Sequence, residues 1–190
     1  MSEGHFHVHG PHDHEVEHAA HSGDPLAGRI AMMTAIFATI GAVFGYMAGA
    51  TQNEALLFKN EAAIKTLEAS DQWNFYQAKS SKQNLAELGA TLTTGDAQSR
   101  YQGEVERYKK EKDEIMVAAK KLEEAGKEAS ARSAAAMHIH HRWAQAMMLI
   151  QIAIALAAIT ILTRNKAIGI GAVCVGGVSI VVGILALVHV

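Results

Sequence analysis

The sequence predicts an all-α membrane protein, with three transmembrane helices and a long antiparallel helical hairpin of coiled-coil type between the first two. Three apolar stretches of 21 residues or more are each long enough to cross about 30 Å of hydrocarbon. The segment between the first two stretches is polar, free of proline and carries apolar residues at steps of three and four. We therefore divide the chain into a tail at 1–25, spans at 26–50, 143–163 and 167–188, and a hairpin at 51–142 that turns at 93–96.

The first span begins at Asp24-Pro25, an N-cap residue followed by a residue suited to the first helical position. Within it, three glycines recur every four residues: Gly41, Gly45 and Gly49. Such a face lets another backbone come close in lipid, so we predict an oligomer contact there. The partner is the third span of the same chain or a neighbouring chain. Glycine is also common in membrane helices by chance, which is the alternative interpretation.

The first arm of the hairpin carries one apolar series at heptad spacing: Leu57, Ile64, Leu67, Ala78, Leu85, Leu88 and Leu92. Four polar residues share this series: Asn60, Asp71, Asn74 and Ser81. We expect the series to face the second arm. Gly95 suits the left-handed position after a helix, and Asp96 suits the N-cap of the next.

The second arm repeats the heptad pattern: Tyr101, Val105, Tyr108, Lys112, Ile115, Ala119, Leu122, Gly126, Ala129, Ser133 and Ala136. Folding at Gly95 pairs positions whose numbers sum to roughly 190, which sets Leu85 against Val105 and Ile64 against Gly126. Residues 51–141 hold 13 Lys and Arg against 14 Asp and Glu, well mixed. This balance is typical of a solvated coiled coil and indicates no nucleic-acid partner.

The second and third spans are joined by a tight turn at 164–166. Gln151 lies deep in the second span, where its amide needs a partner on another helix. The third span contains five glycines, which again predict close helix contacts: Gly169, Gly171, Gly176, Gly177 and Gly183.

Histidines are the candidate metal ligands of this chain. In the tail they include His5, His7, His9, His12 and His14. Imidazole binds Zn²⁺, Ni²⁺ and Cu²⁺, so these side chains either hold a metal or belong to a disordered tail whose metal affinity is adventitious. His138 and His141 share a helix face beside Arg142-Trp143. They form a second metal candidate, or else part of an interfacial belt in which Trp143 lies at headgroup depth. No cofactor is expected.

The most distinctive string of the sequence lies on the first arm, at Ser70–Ser80. Its three aromatic residues span most of the helix circumference: Trp73, Phe75 and Tyr76. They cannot all face the second arm, so we predict that they contact a neighbouring subunit. The alternative is that they cover the hairpin's own side and remain half exposed.

At this string the chain resembles a bacterial inner-membrane family, catalogued as domain of unknown function 4337. The resemblance rests on the pattern D-x-W-x-x-Y-Q-A-K-S at Asp71–Ser80, preceded by Asn60-Glu61-Ala62 and by Glu17-His18-Ala19-Ala20. It covers most of the chain, from about Glu15 onward, and implies a three-span α-helical protein with no established activity. The histidines at residues 5–14 are richer than the pattern requires, so a metal role does not follow from the resemblance.

Orientation rests on the short basic segments, because a loop as long as the hairpin escapes the positive-inside rule. The basic residues on the tail side are Arg29, Arg164 and Lys166. They favour a cytoplasmic tail and a periplasmic hairpin in the inner membrane.

The sequence indicates no enzyme, since no nucleophile is paired with a base and the spans contain no carboxylate. We expect a non-enzymatic protein that contacts the lipid bilayer and assembles as a homo-oligomer into a helical scaffold. The alternatives are an oligomeric passive pore and a metal-handling protein that uses the tail.

Overall fold

The computed structural model describes residues 25–188, and these form three α-helices with no strand among them. Helix α1 is Pro25–Leu92, α2 is Asp96–Thr163 and α3 is Lys166–Leu187. Each contains a stretch long and apolar enough to cross a membrane. The predicted all-α class is therefore confirmed, together with three helices that are each long and apolar enough to cross a membrane.

The connection between α1 and α2 is made by Gly95, whose φ of 66° lies in the left-handed region. This is the conformation that glycine adopts most easily, as the sequence predicts. The carbonyl of Gly95 also accepts a hydrogen bond of 3.1 Å from the amide of Ser99. Gly95 thus occupies the N-cap position of α2, and the prediction for Asp96 is wrong by one residue. Asp96 is the first helical residue, where a negative charge still favours the helix dipole.

The connection between α2 and α3 is only two residues long. Arg164 takes a left-handed conformation with φ of 53°. Asn165 then caps α3, because its side-chain oxygen accepts a bond of 3.0 Å from the amide of Ala167. The tight turn predicted here is present.

The described residues divide into two compact units. We call residues 25–52 and 137–188 the membrane unit, and residues 53–136 the arm unit. Within the arm unit, arm one is the part of α1 and arm two is the part of α2.

The core of the membrane unit depends on two glycines of α3 that receive two phenylalanines of α1. The ring of Phe37 lies over Gly176 and the ring of Phe44 over Gly183, so closely that a Cβ atom at either glycine would lie under 3.0 Å from ring carbons. Only glycine leaves room for these rings. The prediction of close contacts through the third-span glycines is met by these two residues and by Gly169, where a Cβ atom would lie 3.1 Å from Thr160. Gly171 and Gly177 face open space.

Helix α2 contributes one continuous buried stripe to the same core: Trp143, Ala146, Ile150, Ala153, Ala157 and Thr160. The ring of Trp143 packs against Phe44, with ring centroids 5.6 Å apart. The hydroxyl of Ser179 donates a bond of 2.7 Å to the carbonyl of Ala146. Trp143 is only 4% exposed, so its ring packs inside the protein against Phe44. Its predicted position at headgroup depth stays a prediction.

In the arm unit, the face that arm one turns towards arm two is not the predicted one. Its buried and half-buried residues form a separate series at steps of three and four, which we call the alanine seam: Ala55, Phe58, Ala62, Lys65, Ala69, Gln72, Tyr76, Lys79, Gln83, Ala86, Ala90 and Thr93. Gly126 of arm two lies near Thr66 and Ala62, not against Ile64. Leu85, expected against Val105, is 68% exposed.

The error has a geometric cause. The two series on arm one are offset by two residues, which is about 200° around a helix, so they lie on nearly opposite faces. Arm two presents the face the sequence predicts, and its most buried apolar residues are small: Ala119, Ala129 and Ala136. Ala62 lies near Gly126 and Ala55 bonds Ser133, so small residues face small residues and the two backbones come close. The leucines of the other face would hold the arms further apart.

Candidate functional site

The main candidate site is the outer face of arm one, which we call the leucine seam: Leu57, Asn60, Ile64, Leu67, Asp71, Asn74, Ala78, Ser81, Leu85, Leu88 and Leu92. Every member is exposed. The six large apolar members are between 54% and 75% exposed. The seam repeats every seven residues over five heptads, which is the pattern of a coiled-coil interface. The sequence contains this heptad pattern and leads us to expect that it faces arm two. The structure leaves it exposed instead.

The leucine seam has apolar ends and a polar middle. Phe75 borders the middle and is 59% exposed. Together with Asp71, Asn74 and Ala78 it lines a shallow groove of about 450 Å³. Of the three aromatic residues predicted to contact a neighbour, Phe75 is therefore the one that the fold leaves available.

The other two aromatic residues contact the chain's own second arm. The indole nitrogen of Trp73 donates a bond of 2.8 Å to Glu123. The ring of Tyr76 packs edge-on against Trp73 at 5.5 Å, and the Lys112 ammonium lies 5.0 Å from its centroid. Both side chains are half buried by these contacts. A role between copies stays a prediction for Trp73 and Tyr76.

Polar contacts also join the two arms. Lys79 pairs with Glu111, and the hydrogen bond from Lys79 holds the pKa of the Glu111 carboxyl below its ordinary value. The hydroxyl of Ser133 donates a bond of 2.8 Å to the carbonyl of Ala55. A side chain at Ala55 larger than a methyl group would keep Ser133 away, so the alanine seam sets how closely the arms approach.

Two of the three glycines that we predict to contact another copy pack against α2 of their own chain. A Cβ atom at Gly41 would lie 3.1 Å from Ile150, and one at Gly45 would lie 3.4 Å from Met147. Their neighbour is thus the second span of the same chain, not the third as expected. Gly49 faces open space. It lies in a groove of about 720 Å³ that Gln151 also lines, and contacts between copies at these glycines stay a prediction.

The histidine candidates are placed only in part. His5, His7, His9, His12 and His14 lie outside the described residues. His138 and His141 are exposed, and among residues 25–188 no group of three or more His, Cys, Asp or Glu is arranged to hold a metal ion. Metal binding stays a prediction at both places.

One histidine has a role that the sequence analysis misses. The Nδ1 atom of His140 lies 2.8 Å from the carbonyl oxygen of Ala48, so its N–H donates to that carbonyl. With Gln98, Ser133 and Ser179, it is one of four described polar side chains that bond the backbone of a neighbouring helix at an alanine. A polar residue facing an alanine on the partner helix is the signal for such contacts.

Comparison with known proteins gives a family but no described relative. Searches of curated proteins and of solved structures return no match to the chain. One family model matches residues 26–189, which cover the three helices almost completely. The chain therefore belongs to the family described as "Domain of unknown function (DUF4337)".

Proposed function

We propose that the chain is a non-enzymatic integral membrane protein whose copies assemble into a homo-oligomeric helical scaffold. The observation that carries this proposal is the exposed leucine seam. This seam places six large apolar side chains on one face of a water-exposed helix. Burying each of them against a partner contributes about 1.5–3 kcal/mol to the free energy of association. Together, the seams of two copies are large enough to offset an association cost of about 4–15 kcal/mol.

The scaffold rests on an antiparallel coiled-coil hairpin formed by arm one and arm two. Contacts within the arm unit support this arrangement. Gly89 lies against Tyr101 near the turn, and Ala55 contacts Ser133 near the other end. The paired numbers sum to 190 and 188, so they rise along one arm as they fall along the other. The alanine seam closes this hairpin, which leaves the leucine seam free for a further helix.

The partner of the leucine seam is the same seam of a second copy. Arm two does not offer an equivalent surface, since its exposed large apolar residues are Tyr101 and Val117. Copies that insert into one bilayer in the same direction present their seams in parallel. Parallel, in-register pairing sets each leucine against its equivalent, and it sets Asn60 and Asn74 against themselves. Asparagine at a seam position is known to fix register at some cost in stability.

Asp71 works against this pairing, because two carboxylates of the same charge then meet. The polar middle makes the interface weaker than a continuous leucine zipper. We place the assembly in the bacterial inner membrane, with the tail in the cytoplasm and the hairpin in the periplasm. The basic residues on the tail side support that orientation: Arg29, Arg164 and Lys166.

A passive pore formed by the same assembly is the second candidate, and one observation favours it. Gln151 is exposed on the surface of the membrane unit, where lipid offers its amide no hydrogen bond. In an oligomer, Gln151 would line a hydrated lumen or bond a neighbouring helix. Efflux of a small dye from vesicles that contain wild type or Gln151→Leu distinguishes the two, because only a pore loses flux in the variant. A metal-handling role remains attached to the tail histidines.

The scaffold is tested by charging the leucine seam in the full chain. We expect Leu67→Glu combined with Leu85→Glu to reduce the particle to a monomer, since four carboxylates would meet in each pair of seams. Particle mass in nanodiscs, measured by mass photometry, reports the result. Val117→Glu is the matched control, because Val117 is 66% exposed on arm two and lies off the seam.

Cross-linking tests the register of the assembly. In a Cys174→Ser background, Ala78→Cys on the seam should form a disulfide between copies under mild oxidation. Asn84→Cys, which is exposed on the flank of arm one, should form it far less. A wild type that stays monomeric in lipid, or equal cross-linking at both positions, would contradict the scaffold. Far-ultraviolet circular dichroism confirms that each variant keeps its helices.

A further inference from the structure

We propose that the membrane unit binds one anionic glycerophospholipid in a groove between the start of α1 and the start of α3. The groove has a volume of about 450 Å³. Two basic residues line it, Arg29 and Lys166, and its apolar lining includes Ile30, Met33, Ile170 and Val173. This site is separate from the leucine seam and does not depend on oligomer formation.

The two basic residues lie at the same end of the membrane unit. Phe37 packs on Gly176 and Phe44 on Gly183, so residue numbers rise together along α1 and α3 and the two helices run in the same direction. Lys166 is the first residue of α3, and Arg29 lies in the second turn of α1. Their charges therefore gather where these helices begin, and the apolar lining continues from there along the helices.

The charge of the groove fits an anionic headgroup. None of the described residues that line it is acidic. Arg29 and Lys166 are both exposed, so their nitrogens can reach a phosphate without a change of fold. Helix α3 also begins at Lys166, and the dipole of this helix favours negative charge at its N-terminus.

The remaining lining specifies a lipid instead of a free phosphate. Ile170 is 65% exposed and Val173 is 54% exposed along one side of the groove. An acyl chain covers these side chains while its headgroup meets the basic pair. Basic pockets between membrane helices are a recurring way to bind anionic headgroups. The ligand is thus an amphipath with a phosphate at one end and a hydrocarbon chain at the other.

The test is lipid retention by the full chain, measured by native mass spectrometry in detergent with phosphatidylglycerol or phosphatidylcholine of the same acyl chains. We expect the wild type to retain phosphatidylglycerol about tenfold more than phosphatidylcholine. Arg29→Gln combined with Lys166→Gln should remove this preference. Arg142→Gln is the matched control, because this basic residue of the membrane unit does not line the groove and should leave the preference unchanged.

Two further measurements separate the lipid site from a simple anion site. Val173→Trp fills the groove but keeps both charges, so it should lower retention of phosphatidylglycerol. Soluble glycerol phosphate, which has the headgroup without the chains, should not displace the bound lipid. The proposal fails if the wild type retains the two lipids equally, if the double variant keeps its preference, if Val173→Trp has no effect, or if glycerol phosphate competes. Circular dichroism of each variant shows that the helices are intact.

Discussion

The membrane unit and the arm unit both expose large apolar side chains, but the same exposure means different things in the two solvents. Ile170, Val178 and Ile184 of α3 are between 54% and 65% exposed, much as Leu57 and Leu85 are in arm one. In lipid these side chains cost nothing, because the hydrocarbon is as apolar as they are. In water the leucines lose free energy until another surface covers them. Exposed leucines therefore indicate a missing protein partner only in the arm unit.

The two units are alike in how they build their internal contacts. In both, helices meet through small residues: Gly176 and Gly183 receive phenylalanine rings, and Ala55 and Ala69 line the contact between the arms. Small residues mark contacts within the chain in both solvents. In the arm unit, this leaves the leucines of arm one on the outside. Three experiments test this comparison, in order of decreasing effect.

The largest effect is expected in the membrane unit. Gly176→Leu places a side chain where the ring of Phe37 already lies, so we expect a loss of about 3 kcal/mol or more in the stability of the membrane unit. Gly177→Leu, one residue further on, points into open space and should be nearly neutral in lipid. Thermal unfolding in detergent measures both. Equal destabilisation by the two variants would show that the Phe37 contact does not determine the packing.

An intermediate effect is expected from a larger side chain on the alanine seam and a smaller one on the leucine seam. Ala69 is 2% exposed, so Ala69→Leu should overpack the contact between the arms and cost about 1–3 kcal/mol. Leu67 is 67% exposed, so Leu67→Ala should leave the arms stable and weaken only association between copies. Urea unfolding of dilute protein followed by circular dichroism reports the first quantity, and particle mass reports the second. If Leu67→Ala destabilises the arms and Ala69→Leu changes only association between copies, the leucine seam faces arm two.

The smallest effect is expected at the ion pair between the arms. The pKa of Glu111 is lowered by its hydrogen bond from Lys79, so the ionised carboxylate stabilises the fold above its unfolded pKa. This contribution disappears as pH falls through the folded pKa. Glu111→Gln should therefore lower the melting temperature slightly at about pH 7, and the difference from wild type should shrink as pH falls through the folded pKa. A difference from wild type that persists in acid would assign the loss to packing.

The sequence predicts the helices of this fold well, because each of their limits depends on local chemistry. Gly95 marks the first turn, and the lengths of the apolar stretches set the spans. The face of arm one could not be predicted in the same way. Two heptad series share that helix, and the choice between them depends on which residues arm two places opposite. Ranking the series by hydrophobicity selects Leu67 and Leu85, whereas close approach of the two backbones selects Ala69 and Ala86.

The candidate site was predictable only as a pattern. Its heptad spacing is present in the sequence, but its exposure follows from the packing of the alanine seam. Trp143 shows the same limit of sequence-based prediction for a buried residue. A tryptophan beside an arginine at the start of a span is typical of an interfacial belt, and only the neighbouring Phe44 reveals that its ring is buried. The hydrogen bond from His140 to the carbonyl of Ala48 likewise depends on the packing of α1 and α2, which brings these two residues together.

The phenylalanine and glycine pairs also limit how α1 and α3 move past each other. Phe37 and Phe44 are seven residues apart, as are Gly176 and Gly183. A shift of three residues, about 4.5 Å, would press the rings onto Ser179 and Ala186, where a Cβ atom fills the space. The next favourable position is a full heptad away, at about 10.5 Å, roughly a third of the hydrocarbon thickness. A small piston-like displacement of α3 along α1 is therefore opposed by the packing of these rings.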